Sequence, residues 1–290
     1  MAAFDPLLYI AFAIGFLLGR LVPGRSPWIG RATQATIVVL VALLGATLDT
    51  VPAGALAETI PVAAGFALLV LGLTAGAYLL LERLRPGPAP SSGPGRSPER
   101  FPLSVLLLAA LVAGFLVGRL VSVPAAPALP WVLYVLLALV GFDIHLEVAA
   151  LRGVWRPLAA AASAAVVAAV AVAWVGGLPL GASLATTLAF GFYSLAGPLV
   201  AARAGAVLGL LAFLTNFLRE DLTMLLSPYV GRRLRGPGLT ALGGATSMDT
   251  TLYFVTRYGD GDSASLALAS GLVLTIAASL LLPAVLSLPV

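Results

Sequence analysis

Apolar runs of roughly twenty residues, each closed by a short break of glycine, proline or arginine, recur along this chain. They predict six helices over residues 7–22, 32–48, 60–81, 103–121, 130–146 and 157–175, each near the length that crosses about 30 Å of hydrocarbon. Further on the pattern changes. Two more apolar helices are predicted, over 206–227 and 265–286, but a segment too polar for a lipid-facing helix precedes each. Residues 183–205 read SLATTLAFGFYSLAGPLVAARAG and residues 239–257 read LTALGGATSMDTTLYFVTR. Both gather Gly, Ser and Thr at the centre and run into Arg-x-Gly, Arg203 to Gly205 and Arg257 to Gly259. Irregular backbone at membrane depth is tolerated only where protein or a water-filled cavity surrounds it. The expected fold is therefore an all-α polytopic membrane protein with eight transmembrane helices and two re-entrant hairpins.

The first six helices repeat. GFLLGRLV at 15–22 returns as GFLVGRLV at 114–121, and ALLG at 42–45 returns as ALVG at 138–141, about a hundred residues later in each case. Three helices separate the copies, and an odd number inverts the second copy, the inverted-repeat construction of secondary transporters. Between them RPGPAPSSGPGRSPER, residues 85–100, is too rich in Pro, Gly and Ser to pack a core and reads as a flexible cytoplasmic linker. The expected division is residues 1–85 for the first repeat, 86–100 for the linker and 101–178 for the second repeat. Residues 179–236 then form a hairpin plus helix seven, and 237–290 a hairpin plus helix eight, again an inverted pair. The GxxxG glycines Gly15, Gly19, Gly114 and Gly118 are scaffold residues that let helices approach closely. The Ala-rich stretch 158–173 offers a similar close-packing face to a second copy, so a homodimer is an expectation.

Composition narrows the function. Hydrophobic residues make up 60 % of the chain and charged residues 10 %, with mean hydropathy +1.07. All 16 basic residues are Arg and most lie in short breaks between apolar runs, so the net charge of +4 reports topology and not nucleic-acid binding. An outside N-terminus puts Arg25 and Arg31, then Arg83, Arg85, Arg96 and Arg100, then Arg152 and Arg156, then Arg232, Arg233 and Arg235 in the cytoplasm, provided residues 183–205 do not cross. The topology is N-out and C-out. Without Cys and with a single His there is no disulfide, thiol nucleophile or metal site, and no cofactor is expected. Without Lys there is no GxxxxGK phosphate loop, so ATP-driven pumping by this chain is unsupported. YGDGD at 258–262 resembles an intramembrane aspartyl-protease pattern but has no partner Tyr-Asp pair, and the chain is not read as an enzyme. The first apolar run lacks a basic leader and a small-residue cleavage site, and is expected to stay as a helix.

Polar residues inside apolar segments locate the candidate site. AFLTNFLREDLTMLL sets Arg219, Glu220 and Asp221 in mid-helix, where even low insertion scales charge about 2.5–3.5 kcal/mol for an Asp or Arg. Helical spacing puts Asn216, Glu220 and Thr223 on one stripe, with Asp221 about a hundred degrees away. Arg219 and Asp221 read equally well as halves of a structural ion pair. In the second broken segment Asp249 is flanked by Thr246, Ser247, Thr250 and Thr251, with Gly243 and Gly244 to bend the chain. A helix-capping cluster is the alternative there. Tyr193, Ser194, Gly197 and Pro198 are expected at the opposing tip. Asp49, Asp143, His145 and Glu147 close the second helix of each repeat and read first as solvated caps, with Asp49 and Asp143 kept as secondary candidates.

GFYSLAG at 191–197, AFLTNFLRE at 212–220 and GGATSMDTTL at 243–252, in this order and spacing, resemble the bacterial lysine exporter family LysO, also described as a DUF340 membrane protein. The resemblance is specific in the C-terminal third and general elsewhere. Ala196, Tyr253 and Asp221 depart from its usual pattern. It implies export of L-lysine and its toxic analogue thialysine across the bacterial inner membrane, with Glu220 and Asp249 as the important intramembrane acids. Lysine needs anionic partners for two ammonium groups and donors for a carboxylate, and a net cation leaving an inside-negative cell must be offset by a driving ion, about 2.3 kcal/mol per 100 mV. Exchange of a proton for the ammonium at Glu220 and Asp249 is the expected coupling. A sodium- or proton-coupled carrier of another amino acid or a carboxylate is the alternative; a membrane enzyme or structural subunit would need loops longer than these.

Overall fold

The computed structural model describes residues 6–21, 27–48, 51–85, 103–121, 124–143, 153–248, 250–259 and 263–287. Among them there are only helices and turns. In order they are α1 Pro6–Leu21, α2 Pro27–Ala46, α3 Ala53–Leu84, α4 Leu103–Leu120, α5 Ala125–Asp143, α6 Trp155–Gly176, α7 Leu180–Thr187, α8 Tyr193–Ala204 and α9 Ala206–Gly243. A 3-10 turn, Gly244–Met248, leads to α10 Leu252–Tyr258 and α11 Ser263–Val285.

The repeated motifs pack across each other. Gly15 and Gly19 of α1 lie against the backbone of Ala138 and Phe142 in α5, while Gly114 and Gly118 of α4 lie against Ala42 and Ala46 in α2. A Cβ on Gly15 or Gly114 would overlap the facing carbonyl oxygen. Each GxxxG of one copy thus seats on the AL-x-G segment of the other, and only glycine permits backbones to meet so closely. The alanines of α6 are already used inside the chain: Ala160, Ala161, Ala164, Ala165, Ala168 and Ala169 are buried, with α6 packed on α3, α7 and α9. The face expected to receive a second copy is therefore occupied, and α6 turns Val166, Val167, Val170 and Trp174 outward instead.

Four helical stretches are long and apolar enough to cross a membrane, Trp28–Ala46, Ala53–Leu84, Trp155–Gly176 and Ser263–Val285. Pro6–Leu21, Leu106–Leu120 and Ala125–Leu139 are apolar but shorter. The outside of the molecule is greasy, with Leu17, Ile14, Leu116, Val117 and Trp174 exposed, while Asn216, Arg219, Glu220, Thr223 and Ser227 are buried. That distribution is the reverse of a water-soluble domain and marks a helical membrane protein.

One end of the bundle is fixed by charge. Glu82, near the end of α3, accepts from Arg156 at the start of α6 (3.3 Å) and pairs with Arg235 (3.6 Å), while Arg156 Nη2 also donates to the Arg85 carbonyl at 2.6 Å. Arg235 interrupts α9, with φ 55° and ψ −172°. The helix expected to stop at residue 227 instead continues past Pro228 to this kink, carrying the exposed Arg232 and Arg233 on its last turns. Between α6 and α9, α7 and α8 are joined by a bend and pack on each other and on α9. Beyond Arg235 the chain leaves in the opposite direction and returns as α10, where a Cβ on Gly259 would stand 2.6 Å from Gly236 Cα. The pair α7 and α8, and the stretch from Gly236 to α10, are each a helical hairpin.

Candidate functional site

Hairpin one turns over residues 188–192, between α7 and α8, and two adjacent residues there have positive φ, Phe190 (53°) and Gly191 (96°). Hairpin two turns at Gly244 (φ 66°), where α9 gives way to the 3-10 turn. The tips touch: the Ala245 N–H donates to the Phe190 carbonyl at 2.8 Å. Gly244 has no space for a side chain, because its Cβ would overlap that same carbonyl oxygen. The first tip lies where Ala189 to Phe192 bend, earlier than expected. Tyr193 begins the returning helix and lies edge-on to Phe213 (5.5 Å) and Phe217 (5.8 Å), with Ser194 buried beside it in sequence. Gly197 is a packing glycine a turn further on, where a Cβ would be 2.7 Å from Phe213 and 2.9 Å from Leu44. Its Gly-Pro step resembles a bend but continues a helix.

The middle of α9 holds both tips. Asn216 Oδ1 accepts from the Gly191 N–H (2.9 Å), and its Nδ2 donates to the carbonyls of Thr186 (2.7 Å) and Ala212 (2.9 Å). Its amide is committed to the frame of hairpin one. One turn on, Arg219 Nη2 donates to the Ala241 carbonyl of hairpin two at 3.1 Å. Its guanidinium lies against both glycine bends: a Cβ on Gly244 would be 2.9 Å from Nη2 and 3.0 Å from Nη1, and a Cβ on Gly191 3.9 Å from Nη1. Arg219 is 2 % exposed and Glu220, next to it, 1 %. Among the described residues Arg219 forms no ion pair, so the helix-locking pair is not found there. Asp221 is half-buried, on a different face from this cluster.

The hydroxyls around the tips divide into two groups. Thr223, Ser227 and Thr246 return their protons to backbone carbonyls within their own segment, of Arg219 (2.8 Å), Thr223 (2.6 Å) and Gly243 (3.0 Å). Ser247 donates to Gly244 (2.8 Å) and reaches Ala267 of α11 (2.9 Å). Thr251 is buried and its N–H closes the turn on Thr246 (3.1 Å), while Thr250 is half-buried. Ser183, Thr215, Ser270 and Thr275 are buried with hydroxyl oxygens that have no partner among the described residues. None of these four was singled out from sequence; Ser270 and Thr275 stand alone in an apolar run, and a lone hydroxyl there ordinarily bonds its own helix. Asp49, Asp249, His145 and Glu147 lie outside the described residues. Asp143 is the last residue of α5.

The structure thus brings Asn216, Arg219, Thr246, Gly191, Gly243 and Gly244 to one point, since a Cβ on Gly191 would also be 3.2 Å from the Gly243 carbonyl and 3.5 Å from Thr246. A family model described as lysine exporter LysO matches residues 108–286, which contain α9 and both hairpins. This chain belongs to the LysO family. A relative from Escherichia coli (strain K12), itself named lysine exporter LysO, is 38 % identical over 112 residues, 38 % of this chain and 36 % of that protein. The alignment therefore spans little more than a third of that relative. No solved structure matches. Membership of the LysO family agrees with the resemblance carried by the motifs at 191–197, 212–220 and 243–252, all of which lie inside the matched region.

Proposed function

We propose that this LysO-family chain is a secondary transporter that exports L-lysine, and with it thialysine, across the bacterial inner membrane in exchange for protons. The carrying observation is the meeting of two helical hairpins on the buried Asn216 and Arg219 of one helix, with Glu220 buried next to them, inside a molecule whose outside is apolar. Broken helices whose ends converge within a membrane protein are how secondary carriers expose backbone dipoles to a substrate. Buried charge at that depth has a functional role by default. Membership of a family described as lysine exporters supports lysine as the substrate.

The wider reading is eight crossings, N-out and C-out, with the two hairpins re-entering from opposite faces and the halves related as inverted repeats. Three arginine-bearing segments at one end of the bundle support a single cytoplasmic face, and the reciprocal packing of α1 on α5 and α4 on α2 supports the repeat. In this mechanism Glu220 and Asp249 hold a proton when facing out and a substrate ammonium when facing in, so one cannot cross without the other returning. The test is thialysine survival of cells expressing wild type, Glu220→Gln and Asp249→Asn, paired with lysine efflux from proteoliposomes. Protection is expected only from wild type, and efflux is expected to stop when the pH gradient is collapsed. Equal protection by all three chains would remove both acids from the mechanism, and efflux that ignores the gradient in sodium-free buffer would remove the proton.

A further inference from the structure

Arg219 is too poorly satisfied to be only a strut. Its side chain is 2 % exposed, yet among the described residues Nη2 alone has an acceptor, the Ala241 carbonyl at 3.1 Å. Nε and Nη1 have none among the described residues. A guanidinium carries five donors in a rigid fork and is never neutral in practice, so idle donors at this depth are costly. A packing role would be filled at less cost by an apolar side chain of similar volume. The partner that fits two idle guanidinium nitrogens is a planar oxyanion, above all a carboxylate. The position is suited to one that comes and goes, because the guanidinium lies beside the bends of both hairpins, where a Cβ on Gly244 would stand 2.9 Å from Nη2 and one on Gly191 3.9 Å from Nη1.

We propose that Arg219 binds the α-carboxylate of the transported amino acid, which reaches it when the tips part and the Ala245 to Phe190 hydrogen bond opens. This inference rests on the export reading and adds to it: the acids of the site select the ammonium groups, and Arg219 selects an amino acid over a simple diamine. The same contact gives the tips a reason to close over substrate, since the carboxylate replaces nothing that the protein supplies to Nε and Nη1 from its described residues.

The experiment measures binding of L-lysine, L-lysinamide and cadaverine to the purified full-length chain in nanodiscs. The three share the side-chain ammonium and differ in the carboxylate, which is intact, neutralised and removed. Wild type is expected to prefer lysine over the other two by about 10- to 100-fold, the worth of charge-assisted hydrogen bonds. In Arg219→Gln that ratio is expected to fall close to one, with lysinamide affinity within about threefold of wild type. Arg219→Lys, which keeps the charge with a single nitrogen, is expected to hold an intermediate ratio and decides the matter if the glutamine variant does not fold. A wild type that binds lysine and lysinamide equally overturns the carboxylate anchor and leaves the export reading standing. An unchanged ratio in either variant also overturns it, as does equal loss of all three ligands in a folded Arg219→Gln. A wild type that binds none of the three removes the export reading and the anchor together.

Discussion

Asn216 shows how a single side chain can fix the frame of a buried polar cluster. Both amide hydrogens and the amide oxygen are used, so replacing it by Ala leaves the Gly191 N–H and the Thr186 carbonyl buried and unmet. Each such group costs roughly 1–3 kcal/mol, and a clear fall in the unfolding midpoint in detergent is expected. Asn216→Asp keeps the bond from Gly191 but points carboxylate oxygen at two carbonyls, and should fall further; midpoints equal to wild type in both would contradict the framing role. That Asn216, Arg219 and Glu220 would sit inside the protein and not face lipid was readable from sequence, because polar groups in an apolar segment need a reason. Their division of labour was not, because helical spacing groups Asn216 with Glu220 while the bonds of Asn216 go to hairpin one. Gly197 and Pro198 misled for a related cause: a Gly-Pro step signals a bend, yet here glycine makes room for Phe213 and Leu44.

At the scale of elements, close approach and backbone strain yield two contrasts. Gly15→Ala and Gly114→Ala each drive a methyl into a facing carbonyl and are expected to destabilise by roughly 1–3 kcal/mol, whereas Gly72→Ala in α3, which meets nothing within 4 Å, should be neutral or slightly stabilising. Matched chemical-unfolding curves for the three variants would show the split, and a common effect would refute the interlocked packing. At the kink, Arg235 holds a backbone conformation that favours glycine. Arg235→Gly relieves that strain and gives up a partly exposed pair to Glu82 worth about 0–1 kcal/mol, so it should unfold no more easily than wild type, while Arg235→Ala should unfold more easily. The predicted end of this helix at residue 227 was early because Pro228 and the Arg232, Arg233, Arg235 cluster look like a loop. The arginines instead ride the last helical turns, and only the third breaks them.

Over the whole molecule, the charged end and the far end of α6 make the topology directly measurable. The chain contains no cysteine, so single substitutions report without a background. Arg83→Cys and Arg233→Cys, both exposed at the arginine end, should be labelled by a membrane-impermeant maleimide from the cytoplasmic side only, and Val175→Cys from the outside only. Labelling of the two arginine positions from opposite sides would break the single-face arrangement. The helical membrane class was plain from hydropathy, and the two interrupted segments from their small polar residues. What the sequence did not reveal was the contact by which they meet, since the Ala245 to Phe190 bond joins residues far apart in the chain through groups every residue possesses.

The crossed seating of the repeats also imposes an order on assembly. The glycine face of α1 is completed by Ala138 and Phe142, so it waits until α5 has been made, well over a hundred residues after α1 itself. At ordinary synthesis speeds of about 5–20 residues per second that is an interval on the order of ten seconds. α4, by contrast, finds its partner α2 already waiting. The first half is thus held open during synthesis until the second half arrives, and the molecule closes from its later-made side.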